Sequence, residues 1–222
     1  MPGRESFDRE LRRLQDEMLI LASMVDQAIG DSIDALRLLN ATEAQRIIWA
    51  DREINNKRFA IEEMVVSAIA TQQPMARDLR TILAVLHITI ELERMGDYAA
   101  GIARIVLMHG DQDLLKPLID LPRMAELDRT MLRRALDAFV ARDAEMAKQV
   151  ATNDDAVDAL YNQVYRELLT YMLSDPQTID RATWLLWVAH NLERIADRVT
   201  NICERVVFLV TGEMEEMNAS GD

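Results

Sequence analysis

The sequence predicts an all-α fold: two tandem homologous three-helix bundles in an elongated six-helix protein. Three observations carry that prediction. Only 7 Gly and 5 Pro occur in 222 residues, so hairpin turns have little material, while abundant Ala, Leu, Glu, Arg and Met favour helix. The prolines stand at 2, 74, 117, 122 and 176, leaving long proline-free runs between them. Finally, ELERMGD at 91–97 returns as NLERIAD at 191–197, and this 100-residue step marks a duplication.

The helices follow in order. Phe7, Leu11, Leu14, Met18, Leu21, Val25, Ile29, Ile33 and Leu36 keep helical spacing, which predicts a first helix ending near Leu39. NATEAQRI restarts a second near Thr42, and QQP stops it near Thr71. A third runs from about Met75 to Met108, where HGDQDLLKP breaks the chain. The second half repeats the plan with helices near 118–140, 142–173 and 177–211. LNATEA matches FVARDA roughly, with short insertions needed along the middle helices. The expected units are 1–110 and 111–215, followed by a flexible acidic tail at 216–222.

Charge and length narrow the function. A formal charge of −13 disfavours nucleic acid as a partner, because a phosphate backbone demands concentrated Lys and Arg. The start lacks an apolar signal core, and an uncharged helical stretch such as Thr81 to Ile90 is too short to span a bilayer. One cysteine, Cys203, excludes an internal disulfide framework and fits the cytoplasm.

Glu93 with Asp97, and Glu193 with Asp197, each lie four residues apart on one side of a helix. Both pairs flank apolar stripes, Ile88, Leu92, Met95, Ala99, Ile102 and Val106 in one half and Val188, Leu192, Ile195, Val199, Ile202 and Val206 in the other. The preceding helices add Asp51 and Asn55, and Asp154 and Asp158, which can face these acids. Such oxygens suit Mg²⁺, Mn²⁺, Ca²⁺ or iron, whose charge compensates converging carboxylates. The same acids also suit solvated helix faces, with Arg94 beside Asp97 and Arg194 beside Asp197.

Other chemistry finds little footing. His87, His109 and His190 make no metal-ligand motif, and no Walker lysine, serine elbow or HExxH string is present. Cys203 has no histidine at a neighbouring helical position to activate it. Trp49, Trp184 and Trp187 are expected to pack helices.

The two ELERMGD-like strings, joined to QQPMARDLR at 72–80 and NICERVVFLVTG at 201–212, resemble the PhoU family of phosphate-uptake regulators across essentially the whole chain. That resemblance implies metal or metal-cluster binding at Asp51, Asn55, Glu93 and Asp97, then at Asp154, Asp158, Glu193, Asp197 and Asn201. The ion would be divalent or a transition metal, with Mg, Mn, Fe and Zn as candidates. Gly101 replaces the usual Asn of the first repeat and Ala196 the usual Gly of the second, so the two sites are expected to differ.

The resemblance further implies a non-enzymatic, cytoplasmic negative regulator of phosphate uptake and starvation signalling. It would couple a phosphate ABC transporter, through its ATPase, to a phosphate-responsive sensor histidine kinase. It implies a homodimer, peripheral to membrane complexes at the inner face of the cell membrane. A metal-dependent phosphate-processing enzyme and a purely structural bundle are the competing readings, and the missing basic phosphate clamp weighs against the enzyme.

Overall fold

The computed structural model describes residues 2–110 and 112–217, with side chains from residue 5 onward. Every described element is helical: α1 (Pro2–Leu38), α2 (Ala41–Gln72), α3 (Ala76–His109), α4 (Asp120–Ala141), α5 (Ala144–Ala151), α6 (Asp154–Ser174) and α7 (Ile179–Thr211). A short 3₁₀ turn, Pro176–Thr178, leads into α7. With a rise of about 1.5 Å per residue, the long helices run about 50 Å.

Local chemistry sets matching breaks in the two halves. Leu39 (φ 48°) and Arg142 (φ 53°) both take the left-handed conformation that ends a helix. The next residues, Asn40 and Asp143, then cap α2 and α5 by accepting from the backbone N–H groups of Glu43 and Met146. These caps align α1 with α4, and α2 with α5–α6, three residues out of step with the Glu93–Glu193 register. LNATEA and FVARDA thus both contain the break, three residues out of register: Asn40 corresponds to Asp143, and Asp51 to Asp154.

The six expected helical segments are all present, but the fifth is broken. Thr152 and Asn153 keep helical dihedrals, and Thr152 N–H still reaches Lys148 O at a long 3.4 Å, but Asn153 N–H turns to Val150 O, three residues back instead of four. Thr and Asn are poor helix-interior residues whose side chains compete for backbone groups, and here both hydrogen-bond to Gln149 O. The break makes Asp154 the first residue of α6.

The bundles share one core, because α3 packs against α1, α2 and α7. Its small residues Ala84, Gly96, Ala99, Ala100 and Ala103 permit these close approaches and are buried with Ile88, Leu92 and Met95. Ion pairs also tie the halves. Asp26 of α1 holds Arg129 of α4 at 3.0 Å and Arg133 at 3.1 Å, and Gly30 leaves room for the Arg129 guanidinium, 3.1 Å from where a Cβ would stand. Arg142 reaches Thr81 Oγ1 at 3.1 Å.

Two tryptophans depart from expectation. Trp49 is 58% exposed, with the Arg52 guanidinium over its ring, and Trp187 is 47% exposed. Both sit on the outer sides of helices whose opposite faces already fill the core; Trp184 does pack inward, edge-on to buried His109. Beyond α7, Glu215 pairs with Lys148 at 2.7 Å, and the Met217 N–H donates to Glu204 Oε1. Asp111, at the expected unit boundary, and the tail residues 218–222 lie outside the described residues.

Candidate metal centre

In the first half, α2 and α3 bring Asp51, Glu93 and Asp97 within electrostatic reach of one another. Gly96 allows this: a Cβ there would stand 3.1 Å from two Ile54 carbons and 3.8 Å from Asp51 Oδ1. Burial, and then the charge of Asp97, push the Asp51 carboxyl above its ordinary value, opposed by Arg104. Glu93 moves up for the same two reasons, with Arg58, 3.7 Å away, pulling against them. Asn55 turns its amide to Asp51 O at 3.0 Å and leaves its own oxygen free of that bond. Asp51 Oδ1 is buried without a hydrogen-bond partner.

The second half repeats this with more acid. Asp154 is pushed up to about 7, first by burial and then by Asp158, Asp197 and Glu193. Burial raises Asp158 and Glu193 as well, with Asp197 the next cause for each. Arg194 bonds Asp197 Oδ2 at 2.9 Å and approaches Glu193 Oε2 at 3.4 Å, so a solvated ion pair is realised beside the site. Glu193 Oε2 is nevertheless buried and makes no hydrogen bond.

Asn201 is not brought to this group. Its amide donates to Glu91 Oε2 of α3 at 3.2 Å, across the seam between the halves. The corresponding Gly101 faces Asn191 of α7, 3.2 Å from where its Cβ would be. Positions 101 and 201 therefore line the α3–α7 seam.

One further acid lies outside the repeated motifs. Asp128 of α4 is fully buried, neither of its oxygens has a hydrogen-bond partner, and burial, then the charges of Asp154 and Glu193, push its carboxyl up. It stands alone in sequence with no acid four residues away, so paired spacing could not find it. The signal was instead an Asp inside the apolar stripe Leu121, Met124, Ala125, Met131 and Leu132, where a solvated charge is out of place.

Buried oxygens without hydrogen-bond donors are what a cation would satisfy, so Asp51, Glu193 and Asp128 fit an oxygen-ligated ion in donor chemistry. Among the described residues, however, no three Asp, Glu, His or Cys side chains form a cluster able to hold an ion as they stand. Like charges have no reason to close further until positive charge lies between them.

The profile of the PhoU domain matches this chain twice, at residues 18–106 and 121–206. The chain belongs to the PhoU family. It is 36% identical over 219 residues to the Clostridium acetobutylicum phosphate-specific transport system accessory protein PhoU homolog, covering 97% of this chain and 99% of that one. It is 35% identical over 207 residues to the Escherichia coli K12 accessory protein PhoU, covering 93% and 86% of the two chains. The crystal structure of Pseudomonas aeruginosa PhoU superimposes with a TM-score of 0.88 at 34% identity, covering 93% of this chain and all (100%) of that one. PhoU membership supports a non-enzymatic regulatory role in phosphate transport, carried on the all-α two-bundle fold of the family. No described helix of this PhoU-family chain is long and apolar enough to cross a membrane.

Proposed function

We propose that this chain is a negative regulator of phosphate uptake and phosphate-starvation signalling, working by contact with its partners. It docks on the ATPase of a phosphate ABC transporter and on a phosphate-responsive sensor histidine kinase, and so couples transport to signalling. The carrying observation is the double PhoU-domain match, supported by end-to-end likeness to relatives named as phosphate-transport accessory proteins. On this reading the chain works in the cytoplasm as a homodimer and reaches the inner face of the membrane only through its partners.

Divalent or transition metal ions, with Mg, Mn, Fe and Zn as the candidates, complete the reading. Asp51, Asn55, Glu93 and Asp97 would hold one ion or cluster, and Asp154, Asp158, Glu193 and Asp197 another. Bound cations would neutralise the converging acids and tie α2 to α3 and α6 to α7, holding the docking surfaces in one shape. Reconstituted transporter ATPase and kinase cytoplasmic region test this directly. Both should bind the chain, and binding should weaken when Glu93, Asp97, Glu193 and Asp197 are replaced by their amides. Failure to bind either partner would reject the coupling, and binding unchanged by the amides would reject the metal-dependent assembly.

A further inference from the structure

Asp128 is the one carboxylate of the second acid group supplied by α4. It is fully buried, and neither oxygen has a hydrogen-bond partner. Proteins rarely leave a buried carboxyl without donors, because its desolvation is then uncompensated. The groups it senses across the bundle are Asp154 at the start of α6 and Glu193 on α7, and Glu193 also carries a buried oxygen with no hydrogen bond. α4 packs against both α6 and α7, so the carboxyl groups that act on Asp128 come from the two helices it touches.

The first half has no such residue. The matching caps Asn40 and Asp143 fix the register between the halves, and that register puts Val25 where the second half has Asp128. Val25 is equally buried, so burial does not account for the difference. An apolar side chain meets the packing need in one half, and a carboxyl without donors replaces it in the other.

We propose that Asp128 is an inner oxygen ligand of the second-half cation site, making it a three-helix site that holds a hard divalent ion more tightly than the first. This rests on the cation sites of the proposed function. Asp154, Glu193 and Asp197 furnish the outer oxygens, while Asp128 closes the site from the core side. The set is open as it stands, so the assignment requires these acids to change rotamer as a cation offsets their repulsion. The first site draws only on α2 and α3, so its ion exchanges more readily. Occupancy of the second site also draws α4 against α6 and α7.

Mn²⁺ titration of the full chain after chelator treatment tests the assignment, read by calorimetry, by the spectrum of free Mn²⁺ and by thermal melting. The unsubstituted chain is expected to show a tight and a weak class of site. Asp128→Asn and Asp128→Val should each weaken the tight class at least about tenfold and leave the weak class unchanged. Asp128→Val should also raise the melting temperature of the chelator-treated chain, which separates lost binding from lost folding. A tight class unaltered in both variants overturns the ligand assignment alone, as does a single class of equal sites. An unsubstituted chain that binds no Mn²⁺ overturns the cation sites of the proposed function as well.

Discussion

Asn201 of α7 donates its amide to Glu91 of α3, Nδ2 to Oε2 at 3.2 Å, and Arg198 approaches the same oxygen at 3.4 Å. This contact pins the two halves together at a position whose counterpart, Gly101, has no side chain to offer. Asn201→Ala is therefore expected to cost about 1 kcal/mol, a typical buried hydrogen bond, and to leave the number of bound ions unchanged. Urea unfolding beside a metal titration checks both, and loss of an ion equivalent would return Asn201 to the ligand set.

Gly96 sets how closely α2 approaches α3. Ala already stands at the matching position 196, and the 3.1 Å contacts at Gly96 are to Ile54 side-chain carbons that can shift slightly. Gly96→Ala should stay within about 1 kcal/mol of the original, whereas Gly96→Leu should cost about 1–3 kcal/mol through overpacking. The Leu variant should also weaken ion binding in the first half, because Asp51 rides on the displaced helix. Melting curves and Mn²⁺ titration measure the two effects, and equal tolerance of Ala and Leu would refute the close approach.

The raised acids give stability a definite pH dependence. Asp154 titrates at about 7 in the folded chain, against about 3.9 when unfolded. The folded chain thus keeps a proton that the unfolded chain has released, and the stabilisation is complete below the unfolded value and lost as pH climbs through about 7. Asp51, Asp128, Asp158, Glu93 and Glu193 shift the same way. Chelator-treated protein should melt at progressively lower temperature between about pH 5 and pH 8, with a shallower slope in Asp154→Asn. Saturating Mn²⁺ should lift the high-pH end, since cations favour ionised ligands. A melting temperature that rises across this range would contradict these assignments.

Asp26 and Arg129 predict a rescue. Each single reversal, Asp26→Arg or Arg129→Asp, places like charges together in a half-buried seam between α1 and α4 and should cost about 1–3 kcal/mol. The double reversal should recover only part of that loss, because an Arg at position 26 still faces Arg133, as a urea midpoint series would show. Additive losses would mean that the pair contributes nothing of its own.

Much of this architecture was legible from periodicity. The apolar spacing of α1, α3 and α7 reports one buried face per helix, and the repeated Glu-Arg-x-x-Asp string reports duplication. The break before Asp154 was less visible, because Thr152 and Asn153 act through local side-chain bonds to Gln149 inside an otherwise uninterrupted pattern. The paired acids were found because their spacing shows on one helix. Asp128 was not, since its meaning lies in the groups that other helices bring to it. Asn201 shows the converse: sharing a helical side with Glu193 and Asp197, it is nevertheless taken by Glu91 from the other half.

Asp26 and Arg129 hold equivalent places in the two repeats, each one full register step from the other. In an assembly of two identical halves that place would meet its own copy, acid against acid or base against base. Joined in one polypeptide, the copies were free to take opposite signs and become lock and key. Neither half can therefore stand in for its sibling: a chain built from two first halves would set Asp against Asp at this seam, and one built from two second halves would set Arg against Arg.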